Sequence, residues 1–230
     1  MTSDRTYDYD GLRENIVQVY RRAGGTRPDV MHVIIDGEHF VIKDYNPTSG
    51  LFGILAGPYL VSREIKALKK LQGFNGIPEL FSCANKRVLI TSFCKSQSAA
   101  KLTRPINWIK FETRLQTLIT NMHKAGVAHC DLRGPGNILI DDNDAPWLVD
   151  YVACIFRAPG WNKPWNMLFS LACSADFSAI LKLKQKLAPE QLTVNETKLL
   201  ERHSSKGWLF RKTSRGLRRF ARWIFAAGKN

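Results

Sequence analysis

His129-Cys130-Asp131-Leu132-Arg133-Gly134-Pro135-Gly136-Asn137-Ile138-Leu139-Ile140, followed by Trp147-Leu148-Val149-Asp150, is the stretch on which the reading of the chain turns. It presents an acid, then an amide on a turn rich in glycine and proline, then an apolar strand, then a second acid at a strand end. That order suits phosphoryl transfer, where the protein does little covalent chemistry and acts mainly by positioning a hydroxyl and holding metal against phosphate oxygens. Asp131 would accept the hydroxyl proton, and Asn137 and Asp150 would hold magnesium. Magnesium takes oxygen ligands in octahedral geometry and keeps several waters, so one amide oxygen and one carboxylate beside two phosphates suffice. Taken alone, Asp-Leu-Arg-Gly-Pro-Gly-Asn reads equally as a loop with good turn chemistry.

The same residues resemble the catalytic loop and metal-binding strand of the protein-kinase-like superfamily, whose pattern is H-x-D, a few residues, N-x-L, then D-F-G. Two departures stand out. Asn137 lies six residues after Asp131 rather than five, and Asp150 is followed by Tyr151-Val152 with no glycine. The longer spacing is similar to that of a bacterial branch of small kinase-like proteins related to the RIO kinases and the lipopolysaccharide core kinases. Leu181-Lys182-Leu183-Lys184, Leu187-Ala188-Pro189 and Leu192-Thr193 resemble the C-terminal segment of that branch. The resemblance implies an α+β fold of two lobes: a small antiparallel-sheet N-lobe and a reduced helical C-lobe. It also implies ATP and magnesium as cofactors, His129 as a brace for the loop, and Arg133 as a residue that neutralises transferred charge, with an arginine bridging to backbone as the other reading.

Upstream of the loop, Val30–Ile35, Asp36-Gly37 and His39–Tyr45 read as a β-hairpin, because β-branched runs flank a two-residue Asp-Gly turn. Lys43 interrupts the second run. A lysine in an apolar strand is commonly an edge or snorkelling residue; its place after Val-Ile looks like the kinase strand lysine that meets the α- and β-phosphates. Residues Tyr59 to Leu71 show helical spacing of Leu60, Val61, Ile65, Leu68 and Leu71, and Glu64 is the acid among them. Glu64 is then either the ion-pair partner that orients Lys43 or an exposed helical glutamate. The apolar stretch Leu51–Pro58 before it reads as a loop. Ahead of the hairpin, a helix is expected from Gly11 to Arg22. Gly24-Gly25 is all that the sequence offers there for a phosphate-covering turn, without G-x-G-x-x-G.

Arg87–Phe93 reads as a further strand, whose end at Phe93-Cys94-Lys95-Ser96 would be the hinge where adenine meets backbone amides. Ile106–Ala125 is the clearest helix, with Ile109, Leu115, Leu118, Ile119 and Met122 as its apolar stripe and Gly126 in the position that ends it. Asn166–Leu187 reads as helical, with Leu168, Leu171, Ala172, Ile180, Leu181 and Leu183 facing inward and Asp176 as a structural acid. His123 and His129 lack companions at metal spacing. No A-P-E motif follows Asp150.

The chain has 230 residues, enough for one large domain or two small lobes. Its five cysteines, Cys83, Cys94, Cys130, Cys154 and Cys173, show no C-x-x-C, and their odd number points to a reducing, cytoplasmic setting rather than a disulfide framework. The N-terminus lacks the basic-then-apolar order of a signal peptide, and no run of about 18 apolar residues is present to span a membrane.

Net charge is +14, and its location is informative. Arg202 to Asn230 holds nine basic residues and no acid, leaving only +5 for the first 201. Within this tail Leu217, Phe220 and Ile224 recur at helical spacing while Arg215, Arg218, Arg219 and Arg222 cover another sector. That pattern fits a basic amphipathic helix on an anionic membrane surface, or one packed on the C-lobe; nucleic acid is the third reading.

The expected organisation is an N-terminal extension (1–29), an N-lobe (30–95), a C-lobe (96–200) and a basic tail (201–230). The expected activity is ATP- and magnesium-dependent phosphorylation of a hydroxyl, on protein Ser/Thr or on a lipopolysaccharide-core sugar. A pseudokinase or membrane-associated scaffold is the competing class. The expected place is the cytoplasm, with the tail on the inner face of the cell membrane.

Overall fold

A computed structural model describes residues 6–24, 27–48, 50–83 and 85–200. The basic tail expected over 201–230 lies outside the described residues, as does Gly25 of the glycine pair. The chain divides into two compact units, Met1–Ile180 and Leu181–Asn230.

The first unit opens with β1 (Thr6–Tyr7), α1 (Tyr9–Glu14), β2 (Ile16–Arg21), β3 (Asp29–Ile35), β4 (Glu38–Asp44), α2 (Gly50–Lys70), β5 (Leu80–Cys83) and β6 (Val88–Ser92). These strands form a six-stranded sheet in the order β1-β5-β6-β4-β3-β2, antiparallel except for the β1–β5 edge pair. The expected hairpin is present, with Asp36 and Gly37 both at positive φ in its turn. Because successive strand residues face opposite sides, the register sorts the sheet into two faces. Met31, Val33, Phe40, Ile42, Val88 and Ile90 pack on one side with Leu12 of α1 as a buried core. Val30, Val41, Lys43 and Thr91 project on the other.

The helix expected from Gly11 to Arg22 does not form as such. Only Tyr9–Glu14 is helical, capped by Asp8, and Ile16–Arg21 becomes strand β2 against β3. Ile16, Val17, Val19 and Tyr20 are β-branched or aromatic and favour a pleated surface, and the cross-strand partner in β3 decides the matter. The sheet thus draws on residues from the segment read as an N-terminal extension. In the other direction α2 is longer than the sequence suggested: Leu51–Pro58, read as a loop, is helical, with Pro58 inside α2.

The chain then runs through β7 (Ser96–Ser98), α3 (Trp108–Lys124), β8 (Val127–Ala128), β9 (Ile138–Asp141), β10 (Pro146–Leu148), β11 (Ile155–Phe156) and α4 (Lys163–Leu187). Strands β10-β9-β7 make a small antiparallel sheet and β11-β8 a two-stranded one. Asn107 caps α3 through its side chain, and Gly126 follows its end at φ +80. The buried stripe of α3 is Trp108, Phe111, Leu115, Leu118, Ile119 and Met122. Ile109, expected within it, is exposed, because the face that includes Trp108 and Phe111 wins the burial.

In α4, Ala172, Ile180 and Leu183 are buried as expected, but Leu168 and Leu171 are exposed; Phe169 takes the inward position instead. By length and composition alone this helix would also pass for a membrane span, a test that the core helix of a globular protein passes too. Its apolar residues are interrupted by Asn166, by serines and by the buried Asp176, so it holds no unbroken apolar run.

The second unit, described as far as residue 200, is short. Thr193 and Glu196 form a reciprocal cap: the Glu196 amide donates to Thr193 Oγ1 (3.2 Å) and the Thr193 amide to Glu196 Oε2 (2.8 Å). Lys184 pairs with the same Glu196 at 2.9 Å.

Gly76 shows how tightly the first unit is closed. It has φ +91, its carbonyl accepts from Leu148 N at 2.9 Å, and an added Cβ would stand 2.5 Å from Pro146 O and 2.7 Å from Leu118 Cδ2. Gly73 shares the positive φ (+83) but has open space around it. Gly73→Ala should therefore cost about 1–2 kcal/mol from the backbone alone, and Gly76→Ala roughly 2 kcal/mol more from the clash. Urea unfolding of the two variants checks this; equal costs would show that the Gly76 neighbourhood yields freely.

Candidate active site

Lys43 leaves β4 on the sheet face opposite the N-lobe core, and Glu64 reaches it from α2. Lys43 Nζ lies 2.6 Å from Glu64 Oε1 and 3.4 Å from Asp150 Oδ1. Neither Lys43 nor Glu64 is an exposed surface charge, with side-chain exposures of 13% and 3%. Burial pulls the Lys43 ammonium down, but the carboxylates of Glu64 and Asp150 outweigh it, and its pKa is raised. The Lys43 ammonium holds Asp150 below the ordinary carboxylate range. Burial pushes Glu64 upward, against the pull of Lys43.

Asp150 sits at φ +72, a left-handed conformation that a non-glycine residue adopts at some cost. Several contacts hold the turn after it. The Tyr151 amide donates to Glu64 Oε1 at 3.3 Å, the Tyr151 ring is fully buried, and Arg63 of α2 donates to the carbonyls of Val152 (3.2 Å) and Cys154.

The segment His129–Asp131 is braced by Asp176 of α4. Its buried carboxylate accepts from the amides of His129 (2.7 Å) and Cys130 (2.8 Å), and pairs with His123 Nε2 at 3.0 Å. Cys130, at φ +67, thus has its strained backbone tied down. His129 donates from Nε2 to the Val149 carbonyl at 3.0 Å, joining the loop to the strand end that carries Asp150. Burial lowers its pKa and favours the neutral ring.

Above this brace the extra residue of the loop is absorbed by a 3-10 turn at Pro135–Asn137. Asn137 Nδ2 donates to the Asp131 carbonyl (3.0 Å) and to Asp131 Oδ2 (3.1 Å). These bonds use the amide nitrogen and leave the Asn137 side-chain oxygen as its outward acceptor. Arg133 is exposed and turns to α4, where it donates to Ser178 Oγ at 3.3 Å. It is not brought to Lys43 and Asp150.

Between the sheet and the loop lies a cavity of about 480 Å³, within the range of small-molecule sites. Val30, Val41, Leu139 and the residues Ser92–Cys94 of the expected hinge line it together with Lys43, Glu64, Asn137 and Asp150. Asp131 stands beyond Asn137, exposed. Asn137 and Asp150 offer the hard oxygen donors that magnesium prefers. Among the described residues no cluster of three or more His, Cys, Asp or Glu side chains is placed to hold a metal by itself, so a cation here would need phosphate oxygens and water as its remaining ligands.

Tyr20 and Arg21 of β2 also line the cavity. Reading residues 11–22 as a helix hid them, although the β-branched alternation of Ile16–Val19 carried the signal.

No protein-family description matches the chain, and no curated protein matches it. Among solved structures, the fold is similar to that of the Rio2 kinase from Chaetomium thermophilum, solved as a complex with ADP, Mg2+ and phosphoaspartate. The TM-score is 0.56 at 19% identity, over 81% of this chain and 63% of that one, so the chain spans less than two thirds of its neighbour. The likeness places the architecture among protein-kinase-like folds, with a sheet-based N-lobe and a helical C-lobe.

The neutral, buried His129 carries a pH signature. Below its ordinary pKa of 6.5 the unfolded chain takes a proton there that the folded chain refuses, so acid favours unfolding. Wild-type unfolding free energy should fall with decreasing pH below 6.5 more steeply than that of His129→Phe, by up to about 1.4 kcal/mol per pH unit. Parallel curves would mean that His129 titrates alike in both states.

Proposed function

We propose that the chain is an ATP- and magnesium-dependent phosphotransferase that phosphorylates a hydroxyl group. The observation that carries this reading is the position of Lys43 Nζ between Glu64 (2.6 Å) and Asp150 (3.4 Å) in the lining of the cavity. A largely enclosed lysine flanked by two acids is a fixed cation, pre-oriented for phosphate oxygens, and such pre-organisation is what phosphoryl transfer requires of the protein. A neighbour of the same fold that was solved with ADP and Mg2+ supports the reading.

Each side chain then has a role. Lys43 meets the α- and β-phosphates, and Glu64 orients Lys43. Asn137 and Asp150 hold magnesium, which, when bound, neutralises charge on the phosphate oxygens. Asp131 receives the proton of the attacking hydroxyl, with its carboxylate oriented by Asn137. Its exposure leaves it accessible to a bulky acceptor. Arg133 acts as a tie to Ser178 rather than as a charge at the transferred group.

The acceptor is a protein Ser/Thr or a lipopolysaccharide-core sugar. The nine basic residues from Arg202 to Asn230 favour an envelope substrate reached from the inner face of a membrane, with the chain as a small kinase of the bacterial RIO-like and lipopolysaccharide-kinase-like branch. A pseudokinase or membrane scaffold is the second reading, favoured by the absence of a glycine after Asp150.

Binding and turnover separate these readings. Asp150→Ala should weaken magnesium-dependent ATP binding, whereas Asp131→Ala should retain binding and lower phosphoryl transfer by about 10²–10⁴-fold, the range for loss of a general base. Calorimetric titration and transfer of labelled γ-phosphate to protein or to core oligosaccharide measure both. A wild-type protein that binds ATP but transfers nothing from it, with Asp131→Ala indistinguishable, would favour the scaffold.

A further inference from the structure

Kinase-like sites ordinarily cover nucleotide phosphates with a glycine-rich turn whose backbone amides do the binding. This chain has no G-x-G-x-x-G between β2 and β3, which leaves open what faces the phosphates from above. The register of β2 supplies a candidate. Val19 pairs with Met31 and, continued, that register would set Tyr20 opposite Val30. Instead a bulge intervenes and Arg21 pairs with Val30. Bulges of this kind re-aim a side chain and are common beside active sites.

The consequence follows along the ladder. Arg21 pairs with Val30, and Val30 with Lys43, so the three side chains stand in one row on the cavity face of the sheet. Two inter-strand spacings, about 9–10 Å, separate the Arg21 and Lys43 backbones. Both residues line the cavity. Arg21 Nε donates to the Pro28 carbonyl at 3.3 Å, bracing the side chain across the base of the hairpin. Among the described residues its two terminal nitrogens have no hydrogen-bond partner. Its charge is felt at the site, where it adds to the lowering of the Asp150 pKa that Lys43 dominates.

We propose that Arg21 is a phosphate-binding residue, aimed by the β2 bulge at the polyphosphate of a nucleoside triphosphate, where it takes the place of the glycine-rich turn that the chain lacks. The inference rests on the reading of the cavity as a nucleotide site and adds its second cation. A guanidinium suits the task because its planar fork donates two parallel hydrogen bonds to phosphate oxygens and remains charged. Lys43 and Arg21 then hold the polyphosphate from two points along one row of the sheet, and the acceptor side of the cavity is left open towards Asp131.

The test is calorimetric titration of the full chain with ATP, ADP and adenosine in the presence of magnesium, using wild type, Arg21→Ala and Arg21→Lys, each checked by thermal melting for an intact fold. Arg21→Ala should lose about tenfold or more in ATP affinity, less for ADP, and less than about twofold for adenosine, and Arg21→Lys should recover part of the ATP loss. Arg21→Ala with wild-type affinity for ATP overturns the proposal. So does an equal loss for ATP and adenosine, which would make the arginine a brace of the hairpin alone. A wild-type protein that binds none of the three ligands removes the nucleotide reading itself, and this outcome is distinct from the other two.

Discussion

The buried ion pair of Lys43 with Glu64, extended to Asp150, is the constraint on which the arrangement depends. It joins β4, α2 and the turn after β10, three parts of the chain far apart in sequence. Charges out of water are costly unless paired, and removing one partner of a buried pair typically costs about 3–5 kcal/mol. The three groups therefore specify one another's positions. The lysine on the Asp150 carboxylate and the Glu64 bond to the next amide both hold the turn in which Asp150 is left-handed.

Asp176 does for the loop what Lys43 does for the cavity. One buried carboxylate takes two backbone amides and an imidazole, so the strained Cys130 is held and Asp131 emerges at a defined angle. Asn137 then closes the loop back onto Asp131 across a Gly-Pro-Gly turn. The longer spacing between acid and amide is thereby compatible with their meeting. The ionic cluster and the hydrogen-bonded loop border one cavity that is lined by both apolar and charged side chains.

The two faces of the N-lobe sheet separate stability from chemistry. One is closed by α1 over Leu12, Met31 and Ile42; the other presents Val30, Val41, Lys43 and, through the bulge, Arg21 to the cavity. A shift of one residue in β2 would exchange these faces at that strand, because side chains alternate with a period of two. Register is thus part of the site.

Much of this was legible locally. The Asp-Gly hairpin, the α3 helix with its terminal glycine, and the order Asp131, Asn137, Asp150 are short-range patterns whose chemistry holds wherever the chain goes. The identities of Lys43 and Glu64 were readable, but their meeting was not, since a lysine in a strand and a glutamate on a helix have bland readings until the sheet and helix pack. Ile16–Arg21 became a strand only because β3 offers its edge, and Leu51–Pro58 became helix despite its glycines and proline. Ile109, Leu168 and Leu171 lie on faces that helical periodicity allowed to be buried and packing left outside. The sequence by itself determined which chemical groups are available and where the turns between them fall, for these follow from local sterics and composition. Tertiary structure alone decided which of those groups share the cavity, because burial, strand register and ion pairing are properties of segments in contact.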